Sequence, residues 1–177
     1  MELLRTPRLL LRRWEESDLP AFFDIYSREE VARWLGPPPR RAVTSPVEAR
    51  ERMHRWRARE AGLDRPHGLW AIVPLATAAQ APVGTALLLP LTDAGGPAGV
   101  TEIGWHLHPD HQGQGLATES ARALLAAAED AGLDQILALT DPDNVPSQAV
   151  ATRLGLHDDG LTDRWFGLTR RQFRRLP

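Results

Sequence analysis

A glycine-rich segment at residues 109–119 offers the clearest chemistry in the chain. Its glycines are spaced Gly113-x-Gly115 and precede two small residues, Ala117 and Thr118. The segment joins a strand-like run to an amphipathic helix pattern, so its backbone N–H groups lie uncovered at the positive end of a helix. Fixed N–H donors of this kind bind phosphate groups. The sequence therefore predicts a phosphate-binding loop at these residues.

Other motifs share the Gly-x-Gly spacing, and two of them do not fit. A dinucleotide-binding loop has a third glycine where this chain has Thr118, and it lies in the first βαβ unit of a chain. A P-loop needs a lysine, and all 21 basic residues of this chain are arginine. If only the two glycines are considered, a tight turn that binds no ligand is an alternative.

The composition is that of an ordinary globular protein. The chain has 177 residues, a net charge of −2 and 42% hydrophobic residues, so it is long enough for one domain with a core and lacks the basic excess of nucleic-acid-binding proteins. No apolar run approaches a membrane span, and there is no signal-peptide core. The lack of cysteine excludes disulfides, thiolate catalysis and cysteine zinc sites. We expect one cytoplasmic domain over residues 1–177, without nucleic-acid or membrane partners.

Elements of both kinds are expected to position the loop. Alternation and turn residues predict strands at 8–13, 69–74, 82–91, 100–107, 135–140 and 164–169, with turns at 77–81 and 93–99. Ser17 is expected to cap a first helix, and Ser45 begins a capping box with Glu48 for a second. A third helix spans about 116–130 with Gly132 as C-cap, and a fourth runs from Asn144 to Gly155. These elements predict a mixed α/β sheet.

Separate motifs along the chain resemble the GNAT-type N-acetyltransferases. Gln112-x-x-Gly115-x-Ala117 is similar to their pyrophosphate-binding motif, (Gln/Arg)-x-x-Gly-x-(Gly/Ala). The longer stretch 102–119 resembles the branch of ribosomal-protein N-terminal (alanine) acetyltransferases, as do the segments 3–12 with Asp18, 143–147 and 153–156. The resemblance implies a GNAT fold: a mixed, mostly antiparallel sheet of six to seven strands, flanked by about four helices and splayed at its central parallel strands.

The same resemblance implies acetyl-coenzyme A as co-substrate and no metal. The pantetheine arm would pair with the strand before the loop, at the backbone of Leu107 with His108 beside it, in the gap towards strand 135–140. The full set of implied cofactor-binding residues is Leu107, His108, Gln112, Gly113, Gln114, Gly115, Leu116, Ala117, Thr118 and Asn144. His106, His108 and His111 also permit a metal site, but the sequence places no acidic partner with them.

Catalysis needs a base for the amine, a donor for the oxyanion and an acid for the thiolate. Glu102 and His106 share one strand face, so either could take the amine proton. By resemblance, the backbone N–H near Leu107 stabilises the oxyanion, and Ser147 approaches the sulfur. Tyr26 is a poor candidate for the acid because it lies on an apolar helix face. Ser147 could instead be an exposed polar residue and Asn144 only a helix cap.

The predicted reaction is acetyl transfer to a primary amine, of a protein N-terminus or a small molecule, by direct attack in a ternary complex. Residues 28–65 should cover the acceptor, where Trp34, Trp56 and many arginines could bind an anionic or peptide-like molecule. A core helix with a solvated basic face is the alternative for that region. A non-catalytic acyl-coenzyme A binding or sensing module is the alternative function. The branch also suggests a homodimer.

Overall fold

A single mixed sheet organises the chain. The computed structural model describes residues 3–76, 80–93 and 96–176, and its eight strands lie in the order β1-β2-β3-β4-β5-β6-β8-β7. Only β5 and β6 pair in parallel within this sheet. The strands are β1 (Leu4–Arg5), β2 (Leu9–Arg13), β3 (Gly68–Pro74), β4 (Gly84–Asp93), β5 (Gly96–Leu107), β6 (Ile136–Thr140), β7 (His157–Thr162) and β8 (Arg170–Arg174).

Helices cover both faces of this sheet. They are α1 (Leu19–Tyr26), α2 (Glu29–Ala32), α3 (Pro46–Glu60), α4 (Leu116–Asp130) and α5 (Val145–Arg153), with 3-10 turns at Glu16–Asp18 and Pro109–His111. The buried face of α4 packs with α5 on one side of the sheet, where Leu9, Leu11 and Ile72 also lie. Helices α1 and α3 pack over the other side. None of the helices in the described residues is long and apolar enough to cross a membrane.

The sheet opens between its two parallel strands. β5 and β6 pair only at Thr101 with Ile136 and at Glu102 with Leu137. Beyond these residues β5 continues to Leu107 along β4, while β6 continues beside β8. The predicted fold class, including the splay between the parallel strands, is therefore confirmed.

The C-terminal part of the chain differs from the prediction. The expected strand at 164–169 is wrong, because these residues form the loop between β7 and β8. Phe166 and Gly167 have φ angles of 59° and 63°, and two consecutive left-handed residues turn the chain instead of extending it. Trp165 of this loop is fully buried beside Leu91 and Leu137, so its apolar character reflects packing of a loop. The described residues contain more elements than the expected six to seven strands and about four helices. The additional ones are the hairpin β7–β8, the short strand β1 and the helix α2.

The first helix also begins differently. Ser17 is not its cap: the chain makes a 3-10 turn at Glu16–Asp18, and α1 begins at Leu19. The buried Asp18 carboxylate accepts from the backbone N–H of Glu15 at 2.9 Å. It also forms a two-bonded ion pair with Arg12, at 2.6 and 2.8 Å. These contacts show that the Asp18 carboxylate, and not Ser17, stabilises this turn.

The two predicted turns of the β3–β5 region lie partly outside the described residues. Residues 77–79 of the first turn and 94 and 95 of the second are not described. In the second turn the strands extend further than expected, since β4 reaches Asp93 and β5 begins at Gly96.

Candidate active site

A cavity of about 560 Å³ lies where β5 and β6 separate. β5 supplies one wall with Glu102 and His106, and the end of β6 with the start of α5 supplies the other. Helix α3 and the loop before it cover the opening. The lining includes Trp34, Arg40, Arg41, Arg52, Arg55, Trp56, Arg59, Glu102, Trp105, His106, Asp141, Asn144, Ser147, Phe166 and Arg170. Side chains far apart in sequence therefore share one enclosed space.

The glycine-rich loop has the geometry of a phosphate site. Gly113 and Gly115 adopt φ angles of 72° and 77°, in the left-handed region that favours glycine. Gly115 is the N-cap of α4, and no side chain caps that helix end. Within the described part of the chain, none of the backbone N–H groups from Gly113 to Thr118 donates to a protein acceptor. These donors are free to bind an anion at the helix N-terminus.

Residues near the N-terminus hold this loop from outside. Glu119, in the first turn of α4, accepts from the Thr6 hydroxyl at 2.5 Å and from Arg8 Nε at 2.6 Å. Arg8 Nη1 also donates to the carbonyl of Gln114 at 3.0 Å. Burial alone would raise the pKa of Glu119, but the hydrogen bonds from Thr6 and Arg8 lower it. Arg8 therefore compensates a carboxylate beside the free N–H groups.

The end of β5 presents its backbone to the gap. Thr101 N–H donates towards β6, to Gln135, and His108 N–H donates towards β4, to Val83. Because these directions alternate along a strand, the N–H groups of Trp105 and Leu107 point into the gap. The side chain of Gln112 donates to the Leu107 carbonyl at 3.1 Å, which ties the loop to the strand end.

His108 is used within the protein. Its N–H donates to Val83, and its carbonyl accepts from His111 N–H at 2.9 Å. Its ring Nδ1 accepts from Asp110 N–H at 3.2 Å. His108 therefore shapes the turn into the loop, and its contact with the cofactor stays a prediction.

The predicted acid lies on the far wall of the cavity. Asn144 caps α5, since its side-chain oxygen accepts from Ser147 N–H at 3.3 Å. The helix-cap role considered for Asn144 is thus present, and Asn144 also lines the cavity. Among the described residues the Ser147 hydroxyl has no hydrogen-bond partner, and it lines the same cavity. This hydroxyl is available to a bound molecule.

Glu102 and His106 face the cavity on the α1–α3 side of the sheet. Burial raises the pKa of Glu102 to about 7, although Arg59 and Arg170 oppose the rise. Burial lowers the pKa of His106 to about 4. Near neutral pH the carboxyl is therefore partly ionised and the imidazole is neutral, which makes Glu102 the better proton acceptor.

Tyr26 lies beneath this pair rather than in the cavity. It is fully buried, and its hydroxyl bonds with Thr85 at 2.6 Å and approaches His106 Nδ1 at 3.4 Å. Burial raises the pKa of Tyr26 above its ordinary value. The tyrosine supports the His106 ring and has no path to a leaving group.

The sequence did not predict an ion network that lies at one end of the cavity. Asp141, after β6, pairs with Arg40 at 2.8 Å and with Arg170 at 2.6 Å. Arg40 also donates to the carbonyl of Gly36 at 2.9 Å, so the network fixes the loop before α3 against β6 and β8. No local pattern indicates it, because Arg40 and Asp141 lie 101 positions apart.

Histidines do not gather into a metal site in the described residues. No group of three or more histidine, aspartate or glutamate side chains in residues 3–76, 80–93 and 96–176 could hold an ion. The rings of His108 and His111 lie 6.1 Å apart, and His106 faces the cavity instead.

A splayed α/β sheet with a phosphate loop and a polar cavity beside it defines a class of enzymes that bind a long phosphate-bearing co-substrate between two strands. The family model "Acetyltransferase (GNAT) domain" matches residues 8–157. The chain therefore belongs to the GNAT acetyltransferases, as the motifs predicted, and it is an N-acetyltransferase of that family.

Named relatives agree with this assignment. The uncharacterized N-acetyltransferase p20 of Bacillus licheniformis is 27% identical over 162 residues, which are 91% of this chain and 85% of that protein. The uncharacterized N-acetyltransferase YnaD of Bacillus subtilis (strain 168) is 37% identical over 61 residues, 34% of this chain and 36% of that protein. The solved structure of the ribosomal alpha-N-protein acetyltransferase RimL in complex with coenzyme A has a TM-score of 0.75 at 20% identity, over 99% of this chain and 98% of RimL.

Proposed function

We propose that this chain transfers the acetyl group of acetyl-coenzyme A to a primary amine, by direct attack in a ternary complex. The proposal rests mainly on the position of Glu102. Its carboxyl is half-buried and faces the gap between β5 and β6, and its pKa is raised to about 7. A base near neutral pH, beside free strand donors, is what amine acetylation needs.

The free N–H groups from Gly113 to Thr118 fit a pyrophosphate. A Cβ at Gly113 would meet nothing within 4 Å, so glycine is needed there for its left-handed backbone. The N–H group of Leu107 would hold the pantetheine arm in the gap. When bound, acetyl-coenzyme A supplies a thioester whose carbonyl carbon can be attacked.

Glu102 takes the proton that the amine loses as its nitrogen bonds to the acetyl carbon. The Trp105 N–H, near Leu107 on β5, donates to the developing oxyanion, and the Ser147 hydroxyl protonates the sulfur as the C–S bond breaks and regains its proton from water. His106 stays neutral and, held by Tyr26, forms a polar wall beside Glu102. Asn144 positions Ser147 through the cap of α5.

The acceptor can be a protein N-terminus or a small molecule. RimL is described as an alpha-N-protein acetyltransferase, which supports peptides as one arm of the test. The homodimer suggested by the resemblance stays a prediction.

Turnover tests the proposal. Purified protein, acetyl-coenzyme A and a panel of amines and N-terminal peptides are followed by release of free thiol and by product mass. We expect acetylated product from at least one acceptor class. Thiol release no faster than hydrolysis across the panel would contradict acetyl transfer.

Two variants separate an enzyme from a binding module. Glu102→Gln and Ser147→Ala should lower turnover while acetyl-coenzyme A binding, measured by calorimetry, is kept. If both variants leave turnover and binding unchanged, these two assignments are wrong. If the wild type binds the cofactor but acetylates nothing, the sensing alternative is favoured.

A further inference from the structure

We propose that the acceptor amine carries an anionic group, which arginines on the cavity face of α3 bind. This inference rests on the proposed function, because it names the acceptor class of the same site. Arg52, Arg55 and Arg59 lie at i, i+3 and i+7 of α3, one stripe of the helix, and all three line the cavity. They are the side chains of α3 that an acceptor beside Glu102 would meet.

The other charged residues of α3 show that pairing differs between its faces. Arg50 and His54 bond with Glu16 at 2.9 Å, and Arg57 lies 3.7 Å from the same carboxylate. These three basic side chains share a single carboxylate, so the side of the helix that points away from the cavity is only partly compensated. Arg50, His54 and Arg57 are exposed, so the solvated basic face considered from the sequence is present on this side of α3.

The cavity face has no ion pair of this kind among the described residues, although Glu48 and Glu102 lie near enough to interact with Arg52 and Arg59. In the described part of the chain, no carboxylate lies within ion-pair distance of Arg52, Arg55 or Arg59. Arg52 is half-buried, whereas Arg55 and Arg59 are exposed. Burial lowers the pKa of Arg52 and Arg55 adds repulsion, although the nearby Glu48 opposes this shift. A desolvated guanidinium without a counter-ion gains most from a bound anion.

The other charged residues of the cavity do not cancel the positive charge of Arg52, Arg55 and Arg59. Arg40 and Arg170 are already paired with Asp141, and Arg41 with Glu48 at 2.7 Å. Glu102 has no ion pair among the described residues, and its raised pKa leaves it only partly charged. The acceptor end of the cavity is therefore positive, which suits a carboxylate or a phosphate.

This charge has a second effect on the reaction. A protonated amine is repelled from a cavity lined by unpaired arginines, so the neutral, nucleophilic form is favoured there. An anion on the same molecule restores the attraction without protonating the amine. An acidic acceptor can thus bind through the arginines while its amine faces Glu102.

Matched acceptors test the inference. The pairs are β-alanine with β-alaninamide, and peptides beginning Ser-Glu-Glu with peptides beginning Ser-Gln-Gln, which distinguish small molecules from protein N-termini. For the better class, we expect kcat/KM at least about tenfold higher for the anionic member, since hydrogen bonds to charged groups are strong. The preference should fall as salt is added.

Arg55→Gln is the main variant, with Arg52→Gln as the second. Each should lower kcat/KM for the anionic acceptor about tenfold, change it less than threefold for the neutral one, and leave KM for acetyl-coenzyme A unchanged. Arg57→Gln is the matched control, because Arg57 lies on the same helix but pairs with Glu16. It should behave as wild type.

The outcomes separate the two proposals. The arginine site is refuted if the enzyme turns over amines without preferring the anionic member of each pair. It is also refuted if Arg55→Gln and Arg57→Gln lower kcat/KM equally. Neither result contradicts acetyl transfer. If no amine turns over, the proposed function fails. Calorimetric binding of the same four acceptors, with coenzyme A present, then decides the anion site: tighter binding of the anionic member, weakened in Arg55→Gln, supports it, and equal binding refutes it.

Discussion

Glu102 should give the reaction a pH dependence that Glu102→Gln removes. The carboxyl faces the cavity and burial raises its pKa to about 7, against an ordinary value of 4.5. Glutamine has nearly the same shape but cannot accept a proton. If Glu102 is the general base, the variant loses both the rate that the base contributes and the ionisation that controls it.

The raised pKa of Glu102 determines how strongly the reaction rate should change with pH. A group with a pKa of 7 is about one-tenth ionised at pH 6 and about nine-tenths ionised at pH 8, so the rate should rise about tenfold over this range. A carboxyl at its ordinary pKa would be ionised throughout and give no rise. His106, with its pKa lowered to about 4, does not titrate between pH 6 and 8. Glu102→Gln should lower kcat about 100-fold or more.

Steady-state rates at pH 6, 7 and 8 provide the assay. The acceptor amine also titrates in this range, but its ionisation affects wild type and variant alike. The ratio of the two kcat/KM values therefore isolates the carboxyl, and it should rise about tenfold from pH 6 to pH 8. A constant ratio, or a wild-type rate in Glu102→Gln, would refute Glu102 as the base.

Stability distinguishes loss of a base from loss of the fold. The folded-state pKa of Glu102 lies above the unfolded value, so its favourable contribution is complete below the unfolded pKa and is lost as pH rises through about 7. At pH 8 Glu102→Gln should be more stable than wild type, by up to about 3 kcal/mol at about 1.4 kcal/mol per pKa unit. At pH 4 the two should be alike in urea denaturation.

Other substitutions probe the remaining parts of the molecule. Ser147→Ala should lower kcat about tenfold or more with KM for acetyl-coenzyme A nearly unchanged, measured by initial rates. Gly115→Ala puts alanine in a left-handed conformation at a cost of about 1–2 kcal/mol. The free loop should relax out of this conformation and return to it on binding, so KM for acetyl-coenzyme A should rise by up to about 5- to 30-fold, whereas Gly62→Ala, in open space at an ordinary φ, should not change it. Asp18→Asn breaks a buried ion pair and should lower the free energy of unfolding by about 3–5 kcal/mol in urea, against less than about 1 kcal/mol for Arg28→Gln at an exposed pair.

Elements governed by local rules could be predicted from the sequence. Helix α4 has the predicted bounds, with Gly132 in the left-handed conformation after its end. Ser45 caps α3 and accepts from Glu48 N–H at 3.2 Å. The shared face of Glu102 and His106 followed from the alternation of a strand. Each of these depends on residues only a few positions apart.

Features that depend on distant contacts could not be predicted. The pair of Arg40 with Asp141 and the contacts of Glu119 with Thr6 and Arg8 join residues more than 100 positions apart. The loop around Trp165 has the composition of a strand, and only its packing against Leu91 and Leu137 of the central strands explains the tryptophan. The pKa of Glu102 likewise follows from burial, which the strand sequence does not contain.

The two substrates meet surfaces of different kinds, and this difference bears on specificity. The proposed donor side consists of backbone N–H groups of β5 and the glycine loop, so most side-chain changes leave it intact. The proposed acceptor side consists of side chains on α3, a helix held to the sheet by its opposite, apolar residues such as Ala49 and Met53. Arginines on its cavity face can therefore change without loss of the fold or of acetyl-coenzyme A binding. Acceptor choice in this scaffold should follow the charge pattern of α3 rather than the loop that identifies the family.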